Sequence, residues 1–182
     1  MVADNQRPIK TRFLIISDTH DLDGLAKKIS DQSFDVSIHC GDLTTESKLD
    51  EYRSTIRLLY SINAPLKLTI AENHDFTMNI PIFKKKLAEV RPALDPALVE
   101  KFYGYAGEAR KLFDKERGVT FLDEGTHEFR LENGALVNVY ASPYTPSMGD
   151  WGFQYHPDKG HKFSFRSVDV AITHGPQRVS WI

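Results

Sequence analysis

A single cysteine, Cys40, stands among the 182 residues, so no internal disulfide can brace the fold. That scarcity agrees with a reducing compartment, and Cys40 reads as a small buried residue at a strand end rather than as a thiol nucleophile. Long apolar runs are missing as well. The stretch "FLII" at 13–16 is far too short to span a bilayer, and the opening "MVADNQRPIK" has no hydrophobic signal region. The expected location is cytoplasmic, with no membrane partner. Nor is there an excess of either charge: 23 Lys and Arg face 25 Asp and Glu. Such a balance gives no field that would favour nucleic acid or an anionic membrane. Lys84, Lys85 and Lys86 suit a solvated helix face. No repeat, low-complexity tract or linker interrupts the chain, whose length fits one domain, 1–182. Its oligomeric state stays open.

What is present is a recurring arrangement of a short apolar run followed by polar residues. "FLII" at 13–16 leads into "SDTH", and "DVSIHCGD" at 35–42 ends on Gly41 and Asp42. "APLKLTIAENHD" at 64–75 and "VDVAITHGP" at 168–176 do the same. Continuous rather than alternating hydrophobicity suits strands buried on both faces. Helical spacing is expected over 24–31, 47–61 and 95–116; Leu49, Tyr52, Ile56, Leu59 and Tyr60 form one stripe, and Asp95 before Pro96 is a cap and first-turn pair. Asn133-Gly134 between two β-rich segments predicts a hairpin, and hence antiparallel strands beside a parallel section. The fold class is therefore α/β, with mixed sheets and helices outside. The loop "SPYTPSMGDWGFQYHPDKG" reads as a functional rim, with Trp151 and Phe153 suited either to a substrate entrance or to anchoring the loop.

Ligands of open α/β sheets gather at the carboxyl ends of strands. Those ends carry Asp18, His20, Asp42, Asn73, His74 and His174. Carboxylate, imidazole and amide oxygen together suit divalent manganese, iron or zinc better than a thiolate site would. Taken singly, each has a plainer use: Asp18 and Asp42 as helix caps, His20 and His174 as loop histidines. His39, inside a strand, reads as buried support. His127, His156 and His161 fall outside the pattern.

The ordered set "SDTH", "GDLT", "ENHD" and "THGP" resembles the calcineurin-like metallophosphoesterase family, and "ASPYTPSMGDWGFQY" resembles its small metallophosphoesterase-domain branch. The likeness covers nearly all of 12–176. It implies two facing mixed β-sheets flanked by helices and a centre of two divalent metal ions, acting on a phosphate-ester small-molecule substrate. Asp18 and His20 would hold the first ion, Asp42 would bridge both, and Asn73 and His174 would hold the second. His74 would face the substrate phosphate, with Asp75 orienting its ring.

Two departures from that family stand out. Glu72 occupies the position of a glycine, which implies a turn strained by about 1–2 kcal/mol and an added negative charge that would either block phosphate or bind metal. The family's Gly-His-x-His is nowhere in the sequence. Each ion would lose a protein ligand, and the C-terminal part of the fold would be missing, exposing a sheet edge. The expected function is metal-dependent hydrolysis of phosphodiesters or phosphomonoesters; the alternative is a noncatalytic binding or scaffold protein with the same fold.

Overall fold

A computed structural model describes residues 8–20, 29, 31–115, 118–164 and 167–175. Strands β1 (Phe13–Ile16), β2 (Val36–His39) and β3 (Leu66–Thr69) run parallel in that order, and the short β4 (Thr120–Phe121) joins β3, also parallel. A second sheet is mixed: β5 (Gly125–Arg130) pairs antiparallel with β6 (Leu136–Ser142), and β6 pairs parallel with β9 (Val170–Thr173). Of the two sheets expected to be mixed, the second is; the described strands of the first are all parallel. A two-stranded ribbon of β7 (Thr145–Pro146) and β8 (Gln154–Tyr155) carries the rim loop.

The sheets face each other across one apolar layer. Val36, Ile38, Leu68 and Ile70 from the first meet Val137, Val139, Ala141 and Ile172 from the second. On the far side of the first sheet, helix α1 (Leu49–Ser61) buries Leu49, Tyr52, Ile56 and Leu59, the expected stripe, against Phe113 and Val119; Tyr60 stays exposed. The Glu51 carboxylate accepts the N–H groups of Glu46 and Lys48 and closes the start of this helix. A 3-10 segment, Asn73–Met78, then leads into α2 (Ile80–Glu89), capped by the Asn79 side chain on the Ile82 N–H.

Two expectations need correction. The helix predicted over 95–116 is two helices, α3 (Pro96–Tyr103), capped by Asp95 as expected, and α4 (Glu108–Lys115). Gly104 (φ 69°) and Gly107 (φ 88°) leave helical geometry between them. Strand β1 is not buried on both faces. It lies at the end of the strand order, with β2 as its neighbour among the described strands, and Ile15 is 65% exposed. The four strands that look alike in sequence also divide, because β9 belongs to the second sheet. The Asn133-Gly134 hairpin forms between β5 and β6, with Gly134 at φ 90°. The helix expected at 24–31 lies almost entirely outside the described residues. Among the described residues no helix is long and apolar enough to cross a membrane.

Candidate metal centre

The site forms at a seam. Asp18 and His20 follow β1, Asp42 follows β2 and Asn73 follows β3, while His174 reaches in from the end of β9 in the opposite sheet. One ligand atom from each of Asp18, Asp42 and His174 lies within 4.8 Å of the others. His174 Nε2 is 3.9 Å from Asp18 Oδ1 and 3.8 Å from Asp42 Oδ2; His20 Nε2 is also 3.8 Å from Asp42 Oδ2. The cluster thus brings His174 to Asp18, two residues that the resemblance places on different ions. Asn73 shares the loop and starts the 3-10 segment, and its N–H donates to the Glu72 carboxylate.

Backbone geometry holds these side chains in place. Asp18 (φ 52°), His20 (φ 38°) and Asp42 (φ 54°) all occupy the left-handed region. Non-glycine residues reach that region at roughly 1–2 kcal/mol each, and such outliers collect where function demands them. Asp18 N–H donates to the Gly41 carbonyl at 3.2 Å, which joins the first two loops. Three imidazoles are then set by carbonyl acceptors: His20 Nδ1 donates to Thr44 O at 3.1 Å, His174 Nδ1 to Cys40 O at 2.8 Å, and His74 Nδ1 to Thr45 O at 2.8 Å. A carbonyl only accepts, so the proton sits on Nδ1 and each Nε2 keeps its lone pair when the ring is neutral. This is the arrangement by which metal-binding histidines are oriented.

Asp42 supplies the test of fit. Its Oδ1 is buried with no hydrogen-bond partner among the described residues. An unpaired buried carboxylate oxygen is costly, and a cation removes that cost. Two imidazole lone pairs and two carboxylates around it form a donor set suited to a borderline divalent ion.

Glu72 departs from expectation. Its backbone is extended (φ −148°), so the turn carries no left-handed strain. Gly41 (φ 98°) makes the room instead: a Cβ there would come within 2.8 Å of Glu72 Cβ and 3.2 Å of His174 Nδ1. The Glu72 side chain is buried, with Oε1 accepting from Thr145 Oγ1 at 2.8 Å. Burial pushes its carboxyl up to about 7; the Thr145 bond pulls the other way and contact with Asp42 adds to the rise.

Asp75 does not orient His74. It is fully buried and accepts from Leu43 N, Thr44 N, Thr44 Oγ1 and Glu72 N, so it ties the Asp42 loop to the Asn73 loop. Burial raises its carboxyl to about 7 against those bonds. His39 is buried support: its Nε2 meets Thr19 Oγ1 at 2.8 Å, and burial lowers it to about 4. Burial likewise pushes the Cys40 thiol up to about 11, unlike an activated nucleophile. Phe153 packs on Tyr144, whereas Trp151 stacks on His74 with centroids 6.1 Å apart. His74 in turn lies 5.5 Å from the His20 ring. Sequence reasoning missed the carbonyls of Cys40, Thr44 and Thr45, because any residue type can supply a carbonyl.

Known proteins resemble this chain over nearly its whole length. The model of the calcineurin-like phosphoesterase family matches residues 11–180. Metallophosphoesterase domain-containing protein 1 of Homo sapiens is 27% identical over 177 residues, covering 93% of this chain and 49% of that protein. A UPF0046 protein of Caenorhabditis elegans is 26% identical over 182 residues, covering 93% and 43%. The probable rhamnogalacturonate lyase C of Emericella nidulans is 25% identical over 169 residues, 92% of this chain but 14% of that protein. The chain thus spans about half the length, or less, of these curated relatives.

Proposed function

Because this chain belongs to the calcineurin-like phosphoesterase family, we propose that it hydrolyses phosphodiesters or phosphomonoesters with two divalent ions drawn from manganese, iron and zinc. The observation that carries this reading is the convergence of Asp18, Asp42 and His174, in which the second Asp42 oxygen, Oδ1, is buried without a hydrogen-bond partner among the described residues. Asp18, His20 and Asp42 would hold one ion; Asp42, Asn73 and His174 would hold the other. Divalent ions in such a cluster activate water and offset charge on the phosphoryl oxygens.

The remaining work belongs to the chain. Asp42 would be shared by the two ions, since His20 Nε2 and His174 Nε2 both lie 3.8 Å from its Oδ2. The carbonyls of Thr44 and Cys40 keep His20 and His174 from turning their N–H toward the cations. His74 is held the same way by Thr45, so its Nε2 is the atom left for substrate. Protonated, it would donate to a phosphoryl oxygen or to the leaving alkoxide, with Trp151 stacked on its ring.

Glu72 favours a second reading, a noncatalytic binding or scaffold protein. It adds a buried carboxyl against Asp42, where the resemblance expects glycine. Manganese titration by calorimetry, run beside hydrolysis of bis(4-nitrophenyl) phosphate, separates the two. Binding near two ions with turnover supports the enzyme. Turnover that appears only in Glu72→Gly supports the scaffold reading for the natural chain, and absence of both binding and turnover in either protein sinks the metal centre.

A further inference from the structure

Beside His74 lies a cavity of about 450 Å³. Its wall includes Phe76, Phe83, Tyr103 and Trp151, with Lys86 and Leu94. Two features join it to the proposed centre. Trp151 both lines the cavity and stacks on His74, and Thr45 both lines it and accepts the His74 Nδ1 proton. The cavity therefore opens one imidazole away from His20, whose Nε2 is 3.8 Å from Asp42.

We propose that this cavity binds the organic part of the substrate, and that the part it takes is a flat, uncharged aromatic ring. The statement rests on the phosphoesterase reading for what the ring is attached to, and on the cavity alone for the ring. Its walls are ring faces and edges: Phe76 meets Trp151 at 5.7 Å edge-on, and Phe76 and Phe83 each lie near 6 Å from Tyr103. Such surfaces stack on or edge against a planar guest. The volume falls within the range of small-molecule sites and suits one or two fused rings.

The charges on the wall argue for an uncharged guest. Lys86 Nζ sits 4.0 Å over the Trp151 ring and 3.7 Å from Asp150, which also binds Lys85 at 2.5 Å. Glu89 pairs with Lys85 at 3.8 Å, and Glu46 pairs with Lys48. Among the described residues each charged wall group already has an opposite partner, so the wall offers no unpaired cation to a second phosphate. The Trp151 wall is also held in place. Gly152 lies so close to the 3-10 segment that an added Cβ would come within 2.9 Å of the Phe76 Cα.

The test reads binding without turnover. 1-Naphthylmethylphosphonate, whose P–C bond resists hydrolysis, is titrated into the isotope-labelled full chain beside methylphosphonate and adenosine, with amide shifts as readout. The naphthyl probe is expected to move the amides of Phe76, Lys86 and Val90 while methylphosphonate leaves them in place. Adenosine moving the same amides extends the guest to nucleobases; adenosine without effect confines it to carbocyclic aryl groups. Leu94→Trp, at a half-exposed wall position, should fill the cavity and weaken the naphthyl probe at least tenfold. Unmoved amides with every ring, or equal affinity in Leu94→Trp, overturn the proposal whatever the hydrolysis assays give. Loss of metal-dependent turnover with ring binding intact overturns the phosphoesterase reading instead.

Discussion

The acidic and imidazole cluster and the aromatic cavity meet at His74, yet they are held by different means. In the cluster, the backbone sets each group: Asp18, His20 and Asp42 sit in the left-handed region, and carbonyls of Cys40, Thr44 and Thr45 fix the rings. In the cavity, side chains hold one another. Phe76, Phe83, Tyr103 and Trp151 come from the 3-10 segment, α2, α3 and the rim loop, and meet ring to ring. A centre that must place charges within hydrogen-bond tolerance needs rigid supports. A wall that recognises a ring by area tolerates exchange of one apolar group for another.

Breaking the cluster should therefore cost most. Asp42→Ala removes the group shared by His20 and His174 and is expected to lower metal affinity by more than about 100-fold, beyond the loss seen when only an outer partner of a ligand is removed. Calorimetric titration checks it, and cavity binding of the naphthyl probe should be unchanged in the same variant.

The support beneath the cluster has a pH signature. His39 titrates near 4 in the fold against 6.5 ordinarily, because burial disfavours its charged form. The unfolded chain therefore binds the extra proton first, and stability is lost as pH falls from 6.5 toward 4. His39→Gln removes that loss, so the variant should gain on the parent by roughly 3 kcal/mol between pH 7.5 and 4. Urea unfolding of the metal-free proteins measures the gap; a gap independent of pH would mean that burial does not shift His39 and that it titrates alike in the folded and unfolded chains.

Gly41→Ala forces a side chain into a left-handed position and against Glu72 Cβ, at a cost of about 2 kcal/mol or more. Glu72→Gly in the same chain should recover part of that cost by removing the contact, and a double-mutant cycle reads the coupling. The smallest effect sharpens the contrast from the cavity side. Trp151→Ala should raise KM about tenfold for an aryl ester, equivalent to about 1.4 kcal/mol, with metal affinity within about twofold of the parent. Equal losses in both would show the two regions to be one.

The strands and their polar ends were legible because burial on two faces leaves continuous apolar runs and because carboxylate and imidazole at strand ends are conspicuous. Asp18, His20, Asp42 and His174 were picked out that way, and the structure brings them close together. The role of Asp75 was not, since a buried carboxylate tied to four donors looks in sequence the same as one that orients a histidine. Glu72 was misjudged for a similar reason: the space it needs is made by Gly41, thirty-one positions away.

By itself the sequence settled the chemistry available: which side chains could take a cation, where short strands end, and that no disulfide joins two parts of these 182 residues. Only the tertiary structure decided which groups meet. It placed β9 in the opposite sheet so that His174 faces Asp18, chose the carbonyls that orient three imidazoles, and set Trp151 on His74. Side-chain chemistry is local to each residue, whereas proximity depends on how two sheets and a rim loop pack, and that packing is fixed by the whole apolar layer at once.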